Sequence, residues 1–251
     1  VYLDERTLVP LKPSTVILSM RVSILQISYL PWLGFFEQMN RSDQFVLYDD
    51  VQFTRRDWRN RNRIRIEEGS TWLTVPVIQK NKYKQSLLEV KIDNSISWKR
   101  KHLETIRCHY SKTPFFDLYF PWCERIYNSK WNYLLDLSLE PVQYLKQELK
   151  IKTPILRSSE LGAIGNKTQK LVSICKKLKA THYLSGESAR NYILDSEFSD
   201  QNIELEYQKY KHPEYPQRYQ GFVPFLSTID LLFNCGEKSL GILKQPEPNC
   251  N

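Results

Sequence analysis

Of the four histidines in the chain, one stands where chemistry at a sheet edge would need it. His212 lies in "KYKHPEYPQRYQGFVPFLSTID", a Pro-rich loop beyond the last predicted strand, beside Tyr215 and Gln217. An imidazole there can act as general acid or base near neutral pH. A packed loop histidine is the plainer alternative. His102 and His109 fall seven apart on a predicted helix and His182 inside a predicted strand, places that suit a core or surface role. Among the carboxylates, Asp49 and Asp50 end the second predicted strand. Neighbouring strand residues point to opposite faces, so one of the pair, assigned to Asp50, faces a cleft. There it would hold a ribose hydroxyl, bind Mg2+ through a phosphate, or act as a base; turn chemistry is the alternative.

Two further stretches could hold an anion. Arg55, Arg56, Arg59, Arg61, Arg63 and Arg65 fall within eleven residues. Strand alternation in "RNRIRI" puts Arg61, Arg63 and Arg65 on one face, an arrangement suited to phosphate or carboxylate. It would serve equally as a solvated face, or, with Phe53 and Trp58 between the arginines, as a surface for single-stranded nucleic acid. The corner "ILQISYLPWLGFFEQM" joins the first predicted strand to a helix. Tyr29, Pro31 and Trp32 are flat and stiff enough to stack on a base or sugar, and Gly34 would let a phosphate approach the helix start. Aromatic cover for the sheet edge is the competing reading. Ser185 and Gly186, in "YLSG", form a similar strand-to-helix turn; no GxSxG, GxGxxG or GxxxxGK motif accompanies them.

These residues need a frame, and the period of the apolar pattern supplies one. Residues 22–27 and 44–48 read as strands flanking a helix at 33–40, the start of an open, doubly wound α/β sheet. Residues 63–66 and 71–77 read as a β-hairpin around Glu-Glu-Gly-Ser. A helical, aromatic insert follows over 97–149, with Ser97 as N-cap and further helices at 116–128 and 132–148. Strands at 153–158, 182–185 and 203–207 then alternate with helices at 167–178 and 188–194, and a last helix at 227–234 ends at Gly236. The expectation is one α/β unit over 20–241, with an insert at about 50–150. Residues 1–19 are expected to precede a natural start at Met20, and residues 242–251 to fray.

Composition narrows the partners. The 251 residues are 41% apolar and 25% charged, the proportions of a globular chain with a full core. A net charge of +8 favours an anionic partner. The five cysteines form no CxxC pair, which argues against a disulfide framework and a zinc site and for a reducing compartment. No apolar run approaches the roughly 20 residues of a membrane span, so a cytoplasmic protein without membrane insertion is expected.

Five ordered blocks carry a resemblance: "SYLPWLGFFEQMNRSDQFVLYDDVQFTRRDWRNRNRI", "WLTVPV", "YLSG", "HPEYPQ" and "FVPFLSTIDLLFNCG". Together, over residues 20–241, they resemble the WbqC-like family of bacterial proteins. Its members usually carry Gln-Pro before the Tyr-Leu-Pro-Trp block; here Gln26 is kept and Ile27 replaces the proline. The resemblance implies work in O-antigen or other surface-polysaccharide synthesis, on an activated sugar. The layout is also similar to Rossmann-like and nucleotidyltransferase-like α/β folds, although the histidines those folds place in the first loop are missing.

The expected activity is therefore transfer of an acyl, aminoacyl or nucleotidyl group to a nucleotide-linked sugar or other anionic small molecule. A nucleotide or acyl-coenzyme A would be co-substrate, with or without Mg2+. Gln26, Tyr29, Trp32, Gly34, Ser185 and Gly186 would form the cleft, with Arg55, Arg61, Arg63, Tyr215 and Gln217 binding substrate. Asp50 and His212 would do the acid–base work. A non-catalytic module for nucleic acid or a polyanionic glycan intermediate is the competing expectation, with nucleic acid the weaker of the two. The sequence pattern specifies no oligomeric state.

Overall fold

The computed structural model describes residues 19–54, 57–79 and 84–244. Arg55 and nearly all of the segment before Met20 lie outside these residues. In chain order the elements are β1 (Arg21–Gln26), α1 (Leu33–Asn40), β2 (Gln44–Tyr48), the hairpin strands β3 (Arg61–Ile66) and β4 (Gly69–Thr74), and the insert helices α2 (Trp98–Tyr110), α3 (Phe116–Asn128) and α4 (Leu134–Glu148). The alternation then resumes with β5 (Ile155–Arg157), α5 (Thr168–Lys177), β6 (His182–Ser185), α6 (Asp195–Ser199), β7 (Glu204–Tyr207), α7 (Thr228–Cys235) and α8 (Ser239–Leu243).

Five strands form one parallel sheet in the order β5-β2-β1-β6-β7, and β3 pairs with β4 as a separate antiparallel hairpin. The chain runs outward from β1 through β2 to β5, then returns to the other side of β1 for β6 and β7. The direction of winding therefore reverses between β1 and β6, and the carboxyl ends of those two strands are the switch point at which sheets of this kind bind ligands.

Strand alternation builds a core on each face. Val22, Ile24, Val46 and Tyr183 pack with Ile174, Cys175 and Phe198 on the side of α5 and α6. Ile27, Phe45 and Leu47 face the opposite way, into a larger core shared with α1, the insert and α7. Phe45, Val46 and Leu47 are all fully buried, because helices cover both faces. Burying side chains of this size contributes about 1.5–3 kcal/mol each, so Val46→Asp would disrupt the sheet at its centre. Buried hydroxyls tie the sheet to α1: the Thr153 hydroxyl lies within hydrogen-bond distance of the carbonyls of Met39 and Ser42, and Ser23 and Ser42 share a hydrogen bond of 2.6 Å.

Three expectations shift. The helix expected at 188–194 is instead a short 3-10 turn, Glu187–Asn191, followed by α6. The hairpin pairs Arg61 with Thr74 and Ile66 with Gly69, so the strands start earlier and end before Pro76, which has no N–H for a ladder. Residues 242 and 243 do not fray: they belong to α8, where Leu243 is fully buried.

Candidate functional site

The crevice at the strand switch is lined on the α5 side by the last residues of the sheet. Gln26 and Tyr48 are register neighbours and share a face with Ser185. The buried amide oxygen of Gln26 has no hydrogen-bond partner. Burial of such an acceptor costs on the order of 1–3 kcal/mol unless a donor reaches it, and a ligand at the crevice would supply one.

Two cations flank this position. Arg59 reaches back from the segment before β3, its Nη1 donating to the Gln26 carbonyl at 3.0 Å and to the Ser28 hydroxyl at 3.1 Å, with Asp57 3.4 Å from its Nε. Lys170, in the first turn of α5, places Nζ 2.7 Å from Asp50 and 5.3 Å from the Tyr48 ring centre. Burial, then the charge of Asp50 and the neighbouring Tyr192, push the Tyr48 hydroxyl up to about 12, so it stays a neutral donor. Gly186 follows β6 with room for a neighbour: a Cβ there would meet only the Gln38 side-chain oxygen, at 3.9 Å.

The Asp49 and Asp50 carboxylates both come within hydrogen-bond distance of the Ser158 hydroxyl, at 3.0 and 2.5 Å. Asp49 is fully buried and accepts from Arg157 at 2.6 Å and from the Ser159 N–H and hydroxyl, while its own N–H donates to the Ser158 hydroxyl oxygen at 3.1 Å. Burial pushes its carboxyl up, but these donors hold it below the usual range. Asp50 turns toward Lys170 and also accepts from the Ser158 hydroxyl at 2.5 Å. With both oxygens engaged, Asp50 serves to hold Lys170. Among the described residues no group of three or more His, Cys, Asp or Glu side chains gathers to hold a metal.

Across the sheet edge, on the α1 side, lies an aromatic half. Trp32 meets Tyr210 and Phe225 with ring centres 5.8 and 5.9 Å apart, and His212 meets Phe225 at 5.1 Å and Phe222 at 5.8 Å. Phe225 holds a positive φ of 59° and is 47% exposed. The Nδ1 of His212 lies 2.9 Å from the Pro213 carbonyl, which can only accept, so Nδ1 carries the proton. Nε2 is then a buried lone pair without a partner. Burial lowers the pKa of this ring, keeping it neutral and able to take up a proton. No contact joins His212 to Asp50, which faces α5. Glu37 of α1 has its carboxyl pushed up by burial and accepts from Gln208; burial, and then the charge of Glu37, raise the Tyr210 phenol.

Several expected binding residues turn out to build the scaffold. Tyr29 is fully buried, with its hydroxyl between Tyr127 and His102. Neither of its faces is open for stacking, because the corner turns inward at Leu30, where φ is 47°. The space at Gly34 is filled by the indole of Trp32, whose Cη2 would lie 2.2 Å from an added Cβ. Tyr215 and Gln217 both donate to Asp230 at 2.9 Å, and Tyr110 donates to it at 2.6 Å. Burial raises the Asp230 carboxyl and these three donors oppose the rise.

The arginine row also divides. Arg65 is 3% exposed and donates to the carbonyls of Ile66, Gly69 and Gln220 at 2.6–2.8 Å. Arg61 stacks 4.3 Å over Trp72, and Arg63 lies 5.7 and 5.8 Å from Trp72 and Trp58. Sequence reasoning singled out neither Arg59 nor Lys170 as a site residue. Arg59 was hidden within the arginine run, and Lys170 falls among the ordinary cations of an amphipathic helix.

A family model described as the WbqC-like protein family matches residues 26–242. The uncharacterized protein Rv1507c of Mycobacterium tuberculosis (strain ATCC 25618 / H37Rv) is 34% identical over 226 residues, covering 89% of this chain and 97% of the relative. No solved structure matches the chain.

Proposed function

The chain belongs to the WbqC-like protein family, and from that premise we propose that it is a transferase of surface-polysaccharide synthesis, moving an acyl, aminoacyl or nucleotidyl group on a nucleotide-linked sugar. The observation that carries this reading is the unpartnered Gln26 amide oxygen at the strand switch of a parallel sheet, on a residue whose backbone carbonyl accepts from Arg59 and whose register neighbour Tyr48 lies against Lys170. A crevice of that kind suits a phosphorylated ligand: the cations meet the phosphate, and Gln26 accepts from a hydroxyl or base N–H.

The aromatic half supplies the rest. Trp32 and Phe225 offer apolar surface for a sugar ring. The Nε2 lone pair of His212 accepts the proton that an attacking hydroxyl or amine loses as its oxygen or nitrogen bonds to the donor carbon or phosphorus. The leaving group departs with the electron pair of the broken bond. Asp50 keeps Lys170 in place, and Ser185 and Gly186 form the crevice floor. Mass analysis of nucleotide sugars incubated with the protein and either acyl-coenzyme A or an amino acid with ATP tests this. A mass gain matching one transferred group is expected, and its absence across the common nucleotide sugars would contradict the proposal.

The hairpin supports a second reading, a binding module for polyanionic glycan. Trp58 and Trp72 are 38% and 41% exposed, 5.2 Å apart, beneath Arg61 and Arg63. Such a surface would bind with a steep salt dependence and would tolerate loss of His212.

A further inference from the structure

The helical insert holds a cavity of about 670 Å³, far from the strand switch in the chain and within the size range of small-molecule sites. It lies between the start of α2 and the α3–α4 connection. Its floor includes Tyr127 and Trp131, and Lys99, Arg100 and Lys130 stand around it with the amide of Asn128. No carboxylate is among the lining residues.

The charges here run against what a helix start favours. The first turn of α2 carries Lys99, Arg100 and Lys101 and no acidic residue, and the N-cap Ser97 makes no capping bond with its side chain. Each cation at a helix start costs on the order of 0.3–1 kcal/mol, where an anion would be stabilised by a similar amount. Lys99 is held by the Ser129 carbonyl at 2.9 Å. Arg100 reaches Glu104 only at 3.8 Å, with the two side chains 80% and 66% exposed, too loosely to neutralise it. Loosely compensated positive charge thus borders a half-open cavity whose lining includes the rings of Tyr127 and Trp131.

We propose that this cavity binds a phosphate or diphosphate ester, with the anion between Arg100, Lys130 and the start of α2 and a flat or apolar organic group on Trp131 and Tyr127. The anion would offset the misplaced cations, and the rings would cover the ester. Tyr127 also hydrogen-bonds Tyr29 in the loop between β1 and α1. The cavity is therefore packed directly against the loop that carries Trp32. This site is separate from the crevice at the strand switch and does not depend on the transferase reading.

Calorimetric titration at fixed ionic strength tests the site, with inorganic pyrophosphate, UDP and geranyl diphosphate as probes. The proteins compared are the parent, Arg100→Ala/Lys130→Ala and Lys170→Ala. Arg100→Ala/Lys130→Ala should weaken pyrophosphate binding by about tenfold or more, with a melting temperature in buffer no lower than that of the parent, while Lys170→Ala retains this site. Tighter binding of UDP than of pyrophosphate would identify a nucleotide as the ester, and tighter binding of geranyl diphosphate a lipid carrier. Binding that survives Arg100→Ala/Lys130→Ala but is lost in Lys170→Ala would overturn the site while leaving the strand-switch crevice intact. Absence of binding by all three probes would also overturn it.

Discussion

Hydrogen-bond direction decides what individual residues can do. The Nε2 of His102 lies 3.1 Å from the Thr74 carbonyl and so must donate; Nδ1 then accepts from the Tyr29 hydroxyl, which in turn accepts from Tyr127. This order requires a neutral ring, and burial lowers its pKa from 6.5 to about 4. Between those values the unfolded chain binds the proton and the folded one does not. His102 therefore contributes nothing to pH dependence above 6.5, and stability falls by about 1.4 kcal/mol per unit as the pH drops through the window. Urea unfolding at pH 7.5 and pH 5 should show a smaller difference for His102→Gln than for the parent. His212 has the opposite polarity, with Nδ1 donating and Nε2 open. His212→Ala should lower turnover by about 100-fold or more with the fold unchanged by circular dichroism; equal turnover would remove it from the mechanism. The rate of the parent should be flat above the lowered histidine pKa and fall below it as Nε2 is protonated. His212 lies, as its place in the sequence indicates, in the loop beyond β7. The tie of Tyr215 and Gln217 to Asp230 is not legible from local pattern, because Asp230 comes from a helix thirteen or more residues further on.

Elements follow from local pattern wherever apolar period and burial agree. β1, α1, β2 and the three insert helices stand close to where alternation and helical spacing put them, and the placement of the sheet's carboxyl edge follows from those same patterns. The corner before α1 was legible as a rigid turn. Its inward course was not, because Leu30 adopts a positive φ that no glycine signals. Gly34 gives a test of opposite sign to the usual rule. In an open helix, Gly→Ala stabilises by about 1 kcal/mol. Here the added methyl meets the Trp32 ring, so Gly34→Ala should destabilise by about 1–3 kcal/mol and shift the tryptophan emission as the ring swings out. In the hairpin, Arg65 acts as an internal clasp on three carbonyls. Arg65→Met, which keeps the bulk and loses the donors, should cost about 2–4 kcal/mol in chemical unfolding. The row "RNRIRI" alternates as a strand should, but side-chain hydrogen bonds to the carbonyls of Gly69, Gln220 and Gly221 draw Arg65 inward, a tertiary effect beyond any reading of period.

At the scale of the whole molecule, the order β5-β2-β1-β6-β7 makes a single switch of winding, and residues from five separate segments meet there. Gln26, Tyr48, Arg59, Lys170 and Ser185 are spread over 160 positions of sequence, which is why the sequence alone picks out Gln26 and Ser185 as site residues but not Tyr48, Arg59 or Lys170. The basic surface, with a net charge of +8, favours the anionic ligand that such a crevice holds. The most direct measurement is the thermal stability of the parent, Gln26→Leu and Lys170→Ala across a set of nucleotide sugars at fixed ionic strength. The account predicts that at least one nucleotide sugar raises the melting temperature of the parent and that both variants lose most of that rise. An equal rise in all three proteins, or none in the parent, would contradict a ligand at the strand switch.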